Sequence, residues 1–285
     1  MQFLQKVKDF RELVMFEHSI FSMPFIFIAM VTAAQGWFGV KLLIFGVIAS
    51  VSARNFAMAF NRFADRKFDA TNPRTKNRPS VDGRISKGAM LLFIFVNALI
   101  FVAMGYVINP LCFYLSFPIL IILASYSLMK RFSSAAHLVL GLSLGLAPIA
   151  GVVAVSGEIP LWSVYLCIGV LFWVAGFDLL YALQDINHDK KEGLYSVPSV
   201  FGVQKTLWIS RIFHALTLIF WALFIKEAGL GMWMWIGLVV AVVALSVEQY
   251  LVSKNFEHIP RAFFTINGYL GIAFLGFCIV DFMSR

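Results

Sequence analysis

Residues 161–189 read LWSVYLCIGVLFWVAGFDLLYALQDINHD, an apolar run that ends in Asp178, Tyr181, Asp185 and Asp189. Those four polar residues are spaced three, four and four, so on a helix they draw a single face. The apolar part is continuous rather than alternating at every second residue, which selects a membrane-spanning helix over a barrel strand. Runs near the roughly 20-residue length that crosses a bilayer recur along the chain. They fall at 13–34, 40–60, 89–108, 111–128, 136–155, 161–183, 207–225, 231–251 and 262–282. The expected fold class is an all-α integral membrane protein, with nine transmembrane helices around a central cavity in one domain covering residues 1–285.

Composition excludes a water-soluble globule. Of the 285 residues 60% are hydrophobic and 13% charged, whereas soluble domains carry about a quarter charged residues. Lys6, Lys8, Asp9, Arg11 and Glu12 form a charged amphipathic lead with no small-residue cleavage site, so this segment is expected on the membrane surface and not to be removed as a signal peptide. Cys112, Cys167 and Cys278 each fall inside an expected span without metal-ligand spacing, and imply no disulfide framework.

Charge fixes an expected orientation. With the N-terminus in the cytoplasm, only Lys41, Lys226 and Arg285 of the 23 Lys and Arg lie outside. The positive-inside rule turns that asymmetry into an N-in, C-out chain in the cell's inner membrane, with its working face toward the cytoplasm. The net charge of +8 then suits anionic membrane lipids and an anionic substrate, and nucleic acid is discarded as a partner.

The stripe of the sixth span has a counterpart. Asn61, Asp65 and Asp69, four apart at the inner end of the second span, form one polar face. Asn61 and Tyr181, Asp65 and Asp185, and Asp69 and Asp189 are each offset by 120 residues. Two pseudo-repeated four-helix units plus a final helix explain the offset, with the two stripes facing each other across a cavity open to the cytoplasm. One such acidic pair alone reads equally well as a hydrated helix end; two at matched offset on the same membrane face do not. Four carboxylates on one cavity need countercharge, and Mg²⁺ supplies it, since it prefers oxygen ligands and bridges carboxylates to phosphates. A diphosphate would complete the coordination. Arg66, Lys67, Arg74, Lys76, Arg78, Lys130, Arg131, Lys190 and Lys191 stand ready to neutralise its remaining charge.

These residues resemble the UbiA superfamily of membrane aromatic prenyltransferases. Asn61-Arg-x-x-Asp65-x-x-x-Asp69 resembles its first Asp-rich motif, and Asn72-Pro-Arg-Thr-x-Asn-Arg78-Pro79 the basic loop after it. Tyr181-x-x-x-Asp185-x-x-x-Asp189, with Lys190, Lys191, Glu192, Gly193 and the run Ser196-Val-Pro-Ser-Val-Phe-Gly202, is similar to the second motif. Tyr126-x-x-x-Lys130 is similar to the family's short tyrosine and lysine motif. The resemblance covers nearly the whole chain. It implies Mg²⁺-dependent electrophilic aromatic substitution, in which an electron-rich phenolic ring attacks the cation formed from an allylic polyprenyl diphosphate. It also implies that Asp65, Asp69, Asp185 and Asp189 hold metal with help from Asn61. Lys130, Arg74 and Arg78 would clamp diphosphate, and Tyr126 and Tyr181 would line the pocket.

An aromatic acid of the 4-hydroxybenzoate kind in quinone synthesis is the favoured acceptor. Two departures leave the acceptor open: Arg62 stands where many 4-hydroxybenzoate enzymes have an acidic residue, and Phe16-Glu17-His18 through Pro24 resembles a subgroup associated with menaquinone-type acceptors as well as with the 4-hydroxybenzoate label. A dihydroxynaphthoate is therefore the alternative acceptor, and a membrane transporter the alternative from another class. Glu17 and His18 are either acceptor contacts or a hydrated helix start. Gly141-x-x-x-Gly145 with Pro148 reads as close helix packing in preference to a substrate-shaped kink, while Asn267 and Tyr269 have no assigned role. Arg54 and Asp178 lie seven residues before Asn61 and Asp185, about 10 Å deeper at 1.5 Å per residue. They form either an ion pair between the second and sixth helices or a pair that receives and orients the acceptor or the diphosphate.

Overall fold

A computed structural model of the chain describes residues 2–15 and 23–285. Among the described residues every regular element is a helix. An amphipathic helix, α1 (Gln2–Val14), precedes the apolar α2 (Met23–Ala34). The first motif lies on α3 (Val40–Ala64) and the short α4 (Arg66–Thr71). The spans α5 (Lys87–Ile108), α6 (Pro110–Met129) and α7 (Ala136–Ser156) follow. The second motif lies on α8 (Leu161–Ala182), a 3₁₀ turn (Leu183–Asp185) and α9 (Ile186–Lys191). The chain ends with α10 (Val197–Glu227), α11 (Met232–Lys254), α12 (Ile259–Arg261), a π-turn (Ala262–Ile266) and α13 (Asn267–Met283).

Eight helices among the described residues are long and apolar enough to cross a membrane, and α2 is a shorter apolar ninth. The span expected at 13–34 is described as helix only from Met23, and Glu17 and His18 lie outside the described residues. Leu92 and Phe95 on α5, Ile121 on α6, Trp208 on α10 and Val243 on α11 point outward, an apolar surface suited to lipid and not to water.

Local chemistry sets the helix ends. Asn109 closes α5 and caps α6, its side chain accepting from Cys112 N while Pro110 takes the first helical position. Ser196 and Ser199 form a reciprocal capping box at the start of α10. At Gly202, φ of 78° breaks the regularity of α10 near its start, a left-handed conformation that glycine adopts without a Cβ clash.

α8 is the most deeply buried span and packs chiefly against α7 and α10. Gly141 and Gly145 make the α7 contact possible: a Cβ on Gly141 would lie 2.3 Å from the Leu171 carbonyl oxygen, and one on Gly145 2.7 Å from that of Cys167. The glycine pair thus serves close packing. Beside it, Phe25, Trp173, Trp221 and Phe274 form an aromatic centre, with Trp221 and Phe274 stacked at 4.7 Å. Asn267, fully buried, donates to Glu248 Oε1 (2.8 Å) and to the Ala262 carbonyl (3.1 Å) and accepts from Trp173 Nε1 (2.8 Å). It therefore fastens the π-turn to α8 and α11, whereas Tyr269 faces outward.

The internal repeat is visible in backbone terms. α4 and α9 are both six residues long and begin 120 residues apart, each preceded by a motif aspartate, Asp65 or Asp185, that ends the longer helix segment.

Candidate active site

The two motif segments border one cavity of about 420 Å³, within the range of small-molecule sites. Its mouth carries the motif aspartates with Arg74, Arg78, Lys130 and Arg131, and its depth is walled by apolar residues such as Met30, Phe101, Leu115 and Leu144. Polar atoms thus gather at one end and hydrocarbon at the other.

In the first motif, Asp65 ends α3 with ψ near 6°, and the chain restarts as α4. Asn61 Nδ2 donates to Asp65 Oδ2 at 2.9 Å, and Arg131 Nη2 reaches Asp65 Oδ1 at 3.4 Å. Asp69 accepts from Arg78 Nη1 at 2.6 Å, while its carbonyl accepts from the Thr75 hydroxyl at 2.9 Å.

In the second motif, Asp185 accepts from Arg74 through Nε (3.1 Å) and Nη2 (2.5 Å) in a two-pronged contact, and from Asn72 Nδ2 at 3.0 Å. The same guanidinium donates through Nη1 to the Tyr181 hydroxyl at 2.9 Å and lies 5.3 Å from its ring centre. Asp189 is nearly buried and faces Lys130 Nζ at 3.7 Å. Tyr181 leans on Phe263 of the π-turn, ring centres 4.3 Å apart.

Each motif aspartate therefore has one basic partner: Arg131 for Asp65, Arg78 for Asp69, Arg74 for Asp185 and Lys130 for Asp189. Two of the bases come from the loop after α4 and two from the end of α6, and each source serves both motifs. Burial pushes the Asp65 carboxyl above its ordinary pKa, and the Asp69 carboxylate adds to that, against the opposing Arg131. Burial acts to lower the Lys130 pKa, but Asp189, Asp178, Asp185 and Asp65 outweigh it and hold the ammonium above its ordinary value. The mouth thus stabilises positive charge.

Whether the residues fit a divalent cation can be read from the carboxylates. Oδ2 of Asp69 and Oδ2 of Asp189 are buried and have no hydrogen-bond partner, which is costly for a charged oxygen and suits a metal. Among the described residues no group of three or more acidic, His or Cys side chains converges to form a complete ligand cage. Mg²⁺ does not require one, because one or two carboxylates, water and substrate phosphates commonly complete its shell. The residues fit on those terms.

Other expected residues fall as follows. Arg54 lines the cavity and donates through Nη2 to the Met15 carbonyl at 3.1 Å. Asp178 also lines it, but is bonded to His137 Nδ1 at 2.7 Å. Of the two alternatives for Arg54 and Asp178, the ion pair gives way to two separate contacts, with Met15 and with His137, while both residues line the cavity. Tyr126 lines the cavity, its hydroxyl 3.4 Å from the Ala57 carbonyl that it donates to. Lys190 stands exposed on α9 and does not line the cavity. Arg62, buried at the end of α3, donates to Asn61 Oδ1 at 3.2 Å. Sequence reasoning missed His137 altogether and saw Asn72 only as part of a basic loop.

Comparison with known proteins gives the same picture. The model of the UbiA prenyltransferase family matches residues 22–275. A 4-hydroxybenzoate octaprenyltransferase from Azoarcus sp. (strain BH72) is 31% identical over 255 residues, covering 88% of this chain and 87% of the relative. One of the same name from Methylobacillus flagellatus is 32% identical over 263 residues, covering 88% and 84%. Among solved structures, a UbiA homologue from Aeropyrum pernix K1 in its apo form superposes with a TM-score of 0.76 at 28% identity, covering 94% of this chain and 98% of that one. A UbiA homologue from Archaeoglobus fulgidus, bound to GPP and Mg²⁺, shares the fold with a TM-score of 0.79 at 19% identity, covering 96% and 99%. With a family match over most of its length, two duplicated aspartate motifs and a shared helical fold, this chain belongs to the UbiA prenyltransferase family.

Proposed function

We propose that this chain, over residues 1–285, transfers a polyprenyl group from an allylic polyprenyl diphosphate to a ring carbon of a 4-hydroxybenzoate-like acid in respiratory quinone synthesis. The observation that carries this reading is the polarity of the cavity: matched acids and bases at the mouth and hydrocarbon walls in the depth. That gradient suits a molecule with an anionic head and an isoprenoid tail. The named relatives support the acceptor and the long donor, and the GPP and Mg²⁺ held by the Archaeoglobus protein support the donor class and the metal. Family membership argues against the transporter.

Asp65, Asp69, Asp185 and Asp189, with Asn61, would hold Mg²⁺, which when bound supplies Lewis-acid withdrawal of charge from the departing diphosphate. The chain's own bases do the rest of the electrostatic work. Arg74, Arg78, Lys130 and Arg131 present donors that can turn from carboxylate to diphosphate oxygens, favouring the leaving group as its charge grows. Tyr181 keeps the Arg74 fork in its plane, and Tyr126 and Phe263 close the wall of the pocket. The apolar depth keeps water from the allylic cation, so the ring competes without hydrolysis. Arg54, on the cavity wall, receives the acceptor's carboxylate. The orientation implied by the basic loops puts this mouth at the cytoplasmic side of the inner membrane, with anionic lipids around it.

The test uses purified protein in nanodiscs with octaprenyl diphosphate, Mg²⁺ and a panel of 4-hydroxybenzoate and dihydroxynaphthoates. The expected result is the octaprenyl-4-hydroxybenzoate mass, lost in EDTA and restored by Mg²⁺. Naphthoate products alone would overturn the acceptor, and full turnover in EDTA would overturn the metal.

A further inference from the structure

Asp178 belongs to the same helical face as Tyr181 and Asp185 but lies about 10 Å deeper along α8 than Asp185. It touches none of the four bases at the mouth by hydrogen bond. Its partner is His137, a residue of α7 whose side chain is nearly fully buried. Both imidazole nitrogens are occupied. Nε2 accepts from the backbone N–H of Val197 at 3.4 Å, one of the first-turn amides of α10 that has no partner within its own helix. Because Nε2 accepts, Nδ1 carries the proton and donates to Asp178 Oδ2 at 2.7 Å. The arrangement fixes one carboxylate oxygen and leaves Oδ1 of a side chain that lines the cavity.

The reaction proposed above leaves one chemical need unassigned. When the ring attacks the allylic carbon, the C–O bond to diphosphate has broken and its electron pair has left with diphosphate. A new C–C bond then joins prenyl C1 to the ring, and the attacked ring carbon still carries its hydrogen. That C–H bond must break, its electron pair restoring aromaticity, and the proton needs an acceptor. The mouth carboxylates each already have a basic partner and would hold the metal. Asp178 lines the same cavity as Arg54, each of them seven residues, about 10 Å, inside its motif, the depth at which the acceptor-binding reading of Arg54 would put the ring.

We propose that Asp178, oriented by His137, is the catalytic base that takes the ring proton after prenyl transfer. The proposal rests on the aromatic-acceptor reading above. His137 is a positioning residue: it holds the carboxylate through a single tautomer and does not itself meet the acceptor. The neutral Asp178 acid returns its proton to water once product leaves.

The experiment compares 4-hydroxybenzoate with its ring-deuterated form in single turnovers of wild type, Asp178→Asn, His137→Leu and His137→Gln. In wild type, proton loss follows the slow ionisation and the rates of the two acceptors should agree. Asp178→Asn should slow turnover by about a hundredfold or more, with the KM for prenyl diphosphate within about twofold. Its ring-deuterium isotope effect should rise above about 2 as C–H cleavage becomes limiting. His137→Leu should show a smaller rise. His137→Gln, which can accept from Val197 and donate to Asp178, should recover most of what Leu loses. A slowed Asp178→Asn with no isotope effect would overturn the base assignment, as would equal behaviour of the Leu and Gln variants for the role of His137. Failure of the wild type to prenylate 4-hydroxybenzoate would instead overturn the acceptor reading, a result visible before any variant is tested.

Discussion

The segments α3–α4 and α8–α9 share an aspartate stripe, an offset of 120 residues and a trailing six-residue helix, yet they hold their carboxylates differently. Asp185 receives three donors, two from Arg74 and one from Asn72. Asp65 receives one from Asn61, four residues back on its own helix, and a longer one from Arg131. The cause lies downstream. The loop after α4 carries Asn72, Arg74 and Arg78, while the equivalent positions after α9 are Glu192, Leu194 and Pro198. One unit of the duplication therefore supplies the strap that crosses to the other. α8, the more buried of the two motif helices, provides the fixed side of the site, and α3 with its loop the adaptable side.

The largest test of that asymmetry removes a carboxylate from each side. Asp185→Ala strands a guanidinium and an amide and should cut single-turnover prenylation by about a thousandfold or more, against about a hundredfold for Asp65→Ala. Equal losses in quenched time courses, with both proteins still monodisperse in detergent, would break the distinction.

A finer test exchanges the bases. Arg74→Lys keeps the charge but loses the fork that spans Asp185 and Tyr181, so the KM for prenyl diphosphate should rise by about tenfold or more. Arg78→Lys, whose counterpart contact is a single N–O bond to Asp69, should change it only a few-fold. Titrating the donor at saturating acceptor separates the two.

The smallest effect concerns the offset pair Asn61 and Tyr181. Tyr181→Phe removes one neutral acceptor from Arg74 and keeps the ring against Phe263, so turnover should fall by about two- to tenfold, in line with about 1 kcal/mol for such a bond. A loss as large as that of Arg74→Lys would mean that the hydroxyl, not the fork, organises the second motif.

What the sequence made legible is what helical periodicity encodes. The spans follow from uninterrupted apolar length, and the two stripes from a spacing of four that any helix converts into a face. Which base meets which aspartate does not follow, because Arg74 and Arg78 sit in a loop whose path periodicity does not dictate, and Lys130 and Arg131 in a turn. His137 was invisible for another reason: a lone histidine between alanines and leucines carries no spacing signal, and its partners Asp178 and Val197 are distant in sequence. The possible Arg54 to Asp178 pairing was drawn from matched depth alone, which ignores α7, whose His137 takes the Asp178 carboxylate. Asn267 likewise showed only as a polar residue in an apolar run; its bonds to Glu248 and Trp173 depend on how α8, α11 and α13 meet.

The strap after α4 is tied at its other end as well. Arg84 donates to both carboxylate oxygens of Glu12 on α1, at 2.6 and 2.8 Å, and to Asp82 at 2.7 Å. These contacts are open to solvent, so dissolved salt screens them over about 10 Å at 0.1 M, whereas the inner bonds of Asn72 and Arg74 to Asp185 are sheltered. Ionic strength should therefore slacken the strap from its outer end, and on the proposed function the grip on a diphosphate would respond to the bathing electrolyte without any change in the groups that react.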